Sequence, residues 1–426
     1  MLQKIRKNSL LSGSAIYLLS NILAASIPFA LLPILTRYLS PSEYGQVAIF
    51  QTLLAGLGAF LGLSVQGSAN RKFYDAEFSK SELKYFIGSC FLILAVMTFL
   101  TFFSAIFFRD SLSNWVGIES KWLFLSVVVA SGNFIIGIRT GQWQVRKQAK
   151  KYGVFQVSLA MIGMIFSLLL VIYFLQGSTG RIWALSIAPL VYAVISLLFL
   201  YKDGLLGFAW RPNYLREILS FGVPLIPHSI GLFLLSSVDR FVINEEMGLA
   251  EVGIYMVAVQ LTAAIGLIFG AVNSAYMPWL FERLKRDNFE EKKKIVQWTY
   301  YYYAGLLCIV VLAFLVGPSM LILVAGEKYS AAKNLIGWLA LGQAFNGMYL
   351  MTVNYIFYSK RTGLLSLSTI AAGAINITLL IFLISLMGLR GAAVAFSISM
   401  AIKFFLTWYI AQLRYPMPWF SFRYNI

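Results

Sequence analysis

The chain has 426 residues, of which 59% are apolar and 12% charged, with a formal net charge of +17. So small a charged share cannot cover a soluble protein of this length, and the chain reads as an all-α integral membrane protein. The basic residues fall in short clusters between apolar runs rather than along one aromatic-interleaved stripe, which argues against a nucleic-acid partner.

A spanning helix takes about 20 apolar residues. Lys4, Arg6 and Lys7 precede an apolar stretch from Leu10 to Leu35, too long for a signal peptide, which predicts an uncleaved first span at 13–35. Spans at 44–67, 85–108, 122–138, 153–175 and 182–201 follow. A polar segment with Lys202, Asp203, Arg211, Pro212 and Arg216 then precedes six more, at 218–238, 252–276, 297–317, 335–357, 363–386 and 389–411. Twelve spans in two six-helix lobes, 1–205 and 206–426, are the expectation. The connections are short, the longest being the charged stretch around Glu282–Lys294, and leave no room for a separate soluble domain.

Loop charge sets the orientation, because Lys and Arg favour the cytoplasmic side. With the N-terminus inside, 25 of the 34 Lys and Arg lie in cytoplasmic segments and 8 on the opposite side; Lys403 alone lies within a span. Both termini are therefore expected in the cytoplasm. Trp122, Trp143, Trp183, Trp279, Trp298 and Trp419 lie near span ends, as an interfacial belt would place them. Cys90 and Cys308 fall inside apolar runs and read as small buried hydrophobes rather than a disulfide.

The halves echo each other. Arg37-Tyr38 and Ser42-Glu43-Tyr44-Gly45 in the first correspond to Asp239-Arg240-Phe241 and Glu251-Val252-Gly253-Ile254-Tyr255 in the second. An even number of spans per half makes this a parallel internal repeat. The helix opening each half carries two prolines, Pro28 and Pro33 in one and Pro224 and Pro227 in the other. Proline removes a backbone donor and bends a helix, so these positions are candidate hinges or, alternatively, static kinks.

The stretch Ile34-Leu35-Thr36-Arg37-Tyr38-Leu39-Ser40-Pro41-Ser42-Glu43-Tyr44-Gly45 resembles the signature of Wzx-type O-antigen and polysaccharide flippases. So does Asp239-Arg240-Phe241-Val242-Ile243, with Gly248 and Val252-Gly253-Ile254-Tyr255 after it. These flippases belong to the multidrug/oligosaccharidyl-lipid/polysaccharide (MOP) exporter superfamily. The resemblance implies a V-shaped pair of lobes with alternating access, placed in the bacterial inner membrane. It also implies transfer of undecaprenyl-diphosphate-linked oligosaccharide from the cytoplasmic to the periplasmic leaflet, with no cofactor. A polysaccharide polymerase and chain-length machinery are the implied partners.

A diphosphate with several sugars needs a wet route with cations, so intramembrane basic residues are the first candidates. Lys403 lies about 12 Å from the cytoplasmic end of the last span, and reads as a phosphate contact or as a structurally paired charge. Arg37 and Arg240 stand at the outer ends of the two proline-bearing helices, to meet phosphate or to anchor in headgroups; Asp239 and Glu251 are possible ion partners for Arg240. Arg71, Lys72 and Arg139 sit at cytoplasmic mouths, where they either attract diphosphate or serve as ordinary loop charge. His228 and Asp239 are candidates for ion coupling, by protons or sodium. Asn21, Gln51, Asn70, Gln260 and Asn273 suit sugar hydroxyls or helix–helix hydrogen bonds.

Two rivals stay open. A multidrug exporter of the same superfamily would favour acidic residues in the membrane, whereas here the embedded charge is scarce and mostly basic. A membrane polysaccharide polymerase or glycosyltransferase would show larger outer loops or a nucleotide-sugar domain around the Asp75/Glu77 pair. No phosphate-cradling Gly-rich loop, nucleophile elbow or metal-ligand cluster is present in the sequence, so transport is expected rather than catalysis.

Overall fold

The structure, a computed structural model, describes residues 2–63, 65–75, 79–361 and 363–420. Glu77 and Arg423 lie outside the described residues, as do the side chains of Lys4, Arg6, Lys7 and Lys80. Among the described residues there is no strand. That is the expected outcome in lipid, where a helix satisfies every backbone group within its own segment.

The first helices are α1 (Leu2–Tyr38), α2 (Pro41–Leu61), α3 (Val65–Lys72), α4 (Lys80–Phe107), α5 (Arg109–Val116), α6 (Ser120–Val145), α7 (Ala149–Leu168) and α8 (Gly177–Lys202). They are followed by α9 (Pro212–Gly222), α10 (Ile226–Ser236), α11 (Asp239–Met247), α12 (Leu249–Leu284), α13 (Phe289–Ala325), α14 (Ile336–Ser359), α15 (Gly363–Met387) and α16 (Leu389–Arg414). Local sequence sets several starts. Ser40 and Ser79 each accept from the backbone of a glutamate three residues on, and Glu43 and Glu82 return the bond. These capping boxes satisfy donors that a helix start would otherwise leave open.

Eleven of the described helical segments are long and apolar enough to cross a membrane. The remaining expected span, 335–357, is the helix α14, which is 24 residues long but made less apolar by Gln343, Asn346 and Asn354. The stretch Glu282–Lys294, expected to be a loop, is largely helical. Helices α12 and α13, of 36 and 37 residues, span roughly 54 Å each and carry their charged ends past the hydrocarbon. The seventh expected span is divided: α9 passes through a 3-10 turn at Val223–Leu225, which contains Pro224, into α10, which contains Pro227. Helix α1 runs through Pro28 and Pro33 without interruption. Cys90 is buried as expected, but Cys308 lies on an exposed face of α13.

The chain divides into two compact units, Met1–Phe233 with Met247–Gly253, and Leu234–Glu246 with Ile254–Ile426. In the first, α6 packs against α2 and α8, α1 against α7, and α3 against α6 and α9. Its core gathers Phe86, Ile87, Cys90, Phe134, Ile138 and Ile218. In the second, α14 and α15 pack on α16 and α13 packs on α14. One core cluster there unites Phe269, Leu306, Val310, Ala344, Met348 and Phe404.

Candidate functional site

Lys403 lies about three turns before the end of α16 and is only 4% exposed. Its ammonium sits 3.9 Å from the ring centroid of Tyr349 on α14. Among the described residues no carboxylate pairs with it. The hydroxyls of Ser399 and Thr407, one turn either side on the same face, are buried and have no hydrogen-bond partner among the described residues. A lysine at mid-span costs roughly 2.5–3.5 kcal/mol on insertion scales, which the aromatic face offsets only in part. The α16 face therefore carries a cation and two hydroxyls whose bonding capacity the described residues do not fill.

Asp239 and Arg240, both 6% exposed, form an ion pair at the start of α11. The Arg240 Nη1 donates to Asp239 Oδ1 at 2.7 Å, and the Tyr255 hydroxyl donates to Asp239 Oδ2 at 2.6 Å. Arg240 also donates to the Ser236 carbonyl. Of its two expected ion partners, the structure selects Asp239. Arg37 is exposed and donates to the carbonyl of Pro33 at 2.5 Å.

Arg71 and Lys72 close α3 beside a cavity of about 740 Å³ in the first unit, lined also by Ser68, Asp75, Glu217 and Pro224. Lys72 donates to both oxygens of Glu217, at 2.7 and 3.0 Å, and lies 3.2 Å from Asp75. Burial pulls the Lys72 pKa down, but hydrogen bonds and charge from Glu217 and Asp75 outweigh it, and the pKa is raised. Arg71 is exposed and stands over the Phe221 ring at 5.7 Å.

Arg139, expected at an open mouth, is instead 1% exposed. It pairs with Asp203 and stacks on Trp143 at 4.2 Å. Nearby Arg146 has a lowered pKa, through burial first and then repulsion from Arg139.

The amides take part in helix contacts. Asn21 accepts from the Tyr152 hydroxyl at 2.8 Å, Asn70 from Gln142 at 3.3 Å, and Asn273 from Asn354 at 2.8 Å. Gln51, Gln260 and His228 are half-buried on α2, α12 and α10.

Nothing in the sequence marks Arg181, which is one of the eight Lys and Arg expected on the outer side. It is 7% exposed, bonded to Ser167, and has no described carboxylate partner. With Pro28 and Pro189 it lines a cavity of about 180 Å³ between α1, α7 and α8. Among the described residues, no cluster of three His, Cys, Asp or Glu side chains is placed to hold a metal.

The profile of the polysaccharide biosynthesis protein family matches residues 10–284, more than half of the chain. The chain belongs to that family. A relative in Haemophilus influenzae, "Lsg locus putative protein 1", is 27% identical over 379 residues, covering 87% of this chain and 90% of the relative. A "Putative O-antigen transporter" of Shigella flexneri is 20% identical, covering 85% and 88%.

Among solved structures, the lipid II flippase MurJ in an inward closed conformation aligns at TM-score 0.73 and 15% identity, over 94% of this chain and 87% of that one. An inward-facing multidrug resistance MATE transporter of the MOP superfamily aligns at TM-score 0.70 and 16% identity, over 92% and 97%. This member of the polysaccharide biosynthesis family thus has the MOP fold that its motifs implied.

Proposed function

We propose that the chain is a flippase of the bacterial inner membrane. It moves undecaprenyl-diphosphate-linked oligosaccharide from the cytoplasmic to the periplasmic leaflet by alternating access, for O-antigen or a related surface polysaccharide. The reading includes twelve spans in two six-helix lobes, 1–205 and 206–426, with both termini in the cytoplasm. Family membership over residues 10–284 carries it, and the relative called a putative O-antigen transporter supports it. A polysaccharide polymerase and chain-length machinery are the partners that would take the product.

Buried charge favours an anionic cargo. Lys403 and Arg181 are embedded cations without a described acidic partner, whereas the embedded Asp239 is held by Arg240 and Tyr255. A diphosphate would supply the oxygens that Lys403, Ser399 and Thr407 lack. An exporter of cationic drugs needs the opposite arrangement, an embedded carboxylate free to receive its cargo. Arg37 and Arg240 lie at helix ends suited to late contact with the phosphates, and Arg71 with Lys72 to early recruitment. Transport without a catalytic step accounts for all of these positions.

The deciding experiment is mass spectrometry of lipid-linked sugars in a strain lacking the chain and any redundant flippase. Accumulated undecaprenyl-diphosphate oligosaccharide and lost surface polymer, both restored by re-expression, are expected. Normal lipid-linked sugars with intact polymer would put drug export first. In the same assay Lys403→Gln and Lys403→Met are expected to reach normal abundance yet lose at least about tenfold in restored polymer, the scale of one lost charge-assisted contact. Full activity in both would remove Lys403 from the route.

A further inference from the structure

The C-terminal end of α6, the start of α7 and the end of α8 enclose a cavity of about 680 Å³ within the first unit. Arg139 forms part of its lining. One guanidinium nitrogen pairs with Asp203, and the group stacks on Trp143. Its Nε and Nη1 are buried and have no hydrogen-bond partner among the described residues. Buried donors left open are costly, so the site is short of acceptor oxygens. Lys150, Lys151 and Lys202, all exposed, add to the basic lining, and Asp203 is the one carboxylate among its described residues. Four cations against one anion leave an excess of three positive charges.

The remaining wall is mostly apolar, with Val154, Phe155, Ile195 and Phe199 beside the hydroxyl-bearing Ser158 and Tyr192. Val154 is 72% exposed, and Val194 and Leu198 at 58% and 55% continue the apolar surface along α8. A ligand that fits must present several anionic oxygens at one end and hydrocarbon at the other. Inorganic phosphate would leave the apolar wall uncovered. A neutral oligosaccharide would leave the excess positive charge of the lining unmatched. Basic pockets between spanning helices at the cytoplasmic face are suited to anionic lipid headgroups.

We propose that this cavity binds the phosphate headgroup of a resident anionic phospholipid such as phosphatidylglycerol. The acyl chains lie along the exposed apolar face of α7 and α8. The three exposed lysines meet the phosphate, and Arg139, buried behind them, adds to the positive potential of the lining. The site is separate from the cargo contacts proposed at Lys403, and its occupancy does not depend on what the chain transports.

The test is native mass spectrometry of the purified full-length protein titrated with phosphatidylglycerol or with phosphatidylcholine of identical chains. A triple variant, Lys150→Gln with Lys151→Gln and Lys202→Gln, changes only exposed side chains. Arg139→Lys keeps charge but removes the fork of donors. One phosphatidylglycerol per chain is expected, at least about tenfold tighter than phosphatidylcholine, and roughly tenfold weaker in the triple variant. Millimolar inorganic phosphate is expected to leave it in place. Three results would each overturn the proposal: equal retention of the two lipids, unchanged binding in the triple variant, or displacement by inorganic phosphate. Displacement by equimolar undecaprenyl diphosphate would also overturn it, by reassigning the cavity to cargo entry.

Discussion

Gly45 and Gly253 occupy corresponding positions in the two Glu-x-Gly motifs, and the structure sets them against each other where α2 meets the start of α12. A Cβ on Gly45 would overlap the Leu249 carbonyl and come within 3.2 Å of the Gly253 nitrogen. A Cβ on Gly253 would overlap the Pro41 carbonyl and come within 2.9 Å of the Gly45 nitrogen. Each obstacle is backbone, so no rotamer change relieves it. Gly45→Ala and Gly253→Ala are therefore each expected to cost about 1–3 kcal/mol as overpacking, seen as a lower melting temperature in detergent. Gly58→Ala, on the same α2 with nothing within 4 Å of its Cβ position, is expected to cause no loss. Sequence comparison of the halves could reveal that both glycines recur, but not that they touch. Arg181 was equally illegible, because Ser167, its bonding partner, is an unremarkable serine in an apolar run.

At the scale of elements, Lys72 on α3 and Glu217 on α9 tie the end of one short helix to the helix that leads into the Val223–Leu225 turn. Glu217 is 48% exposed, so solvent screens the pair, and a double-mutant cycle of Lys72→Met and Glu217→Gln is expected to give only about 0.5–1 kcal/mol of coupling. The sign of its pH dependence follows from the raised Lys72 pKa. Lys72's contribution is complete below the unfolded lysine value and is lost as pH rises through the higher folded one. Coupling measured near neutral pH should thus persist into mildly alkaline buffer and fall beyond it.

Long elements were legible because an apolar run of about 20 residues has few uses other than a span. Helices α5 and α11 were not, being 8 and 9 residues long and polar enough to read as loop. The burial of Arg139 was hidden for another reason: Asp203 lies 64 residues away, and only the packing of α6 on α8 brings the two together.

Across the whole molecule, the orientation of the helices can be tested from their ends. Helix α6 leads from Glu119 to Lys147, and α7 and α8 carry the chain across to Leu175 and back to Gly204. Lys147 and Gly204 thus share the face that bears Arg146, Lys150, Lys151 and Lys202, while Glu119 and Leu175 share the opposite one, where Lys121 is paired with Glu119 at 2.7 Å. If positive charge is retained in the cytoplasm, cysteines at 147 and 204 should resist a membrane-impermeant maleimide in intact cells. They should react after the membrane is opened. Cysteines at 119 and 175 should react in both. All four positions are exposed, so accessibility will report sidedness rather than burial. Exposed Cys308 must first be replaced, whereas Cys90 is buried and can stay. The reverse labelling pattern would invert the molecule in the membrane. It would move the basic α6–α8 cavity to the outer leaflet and remove the direction of transfer proposed here.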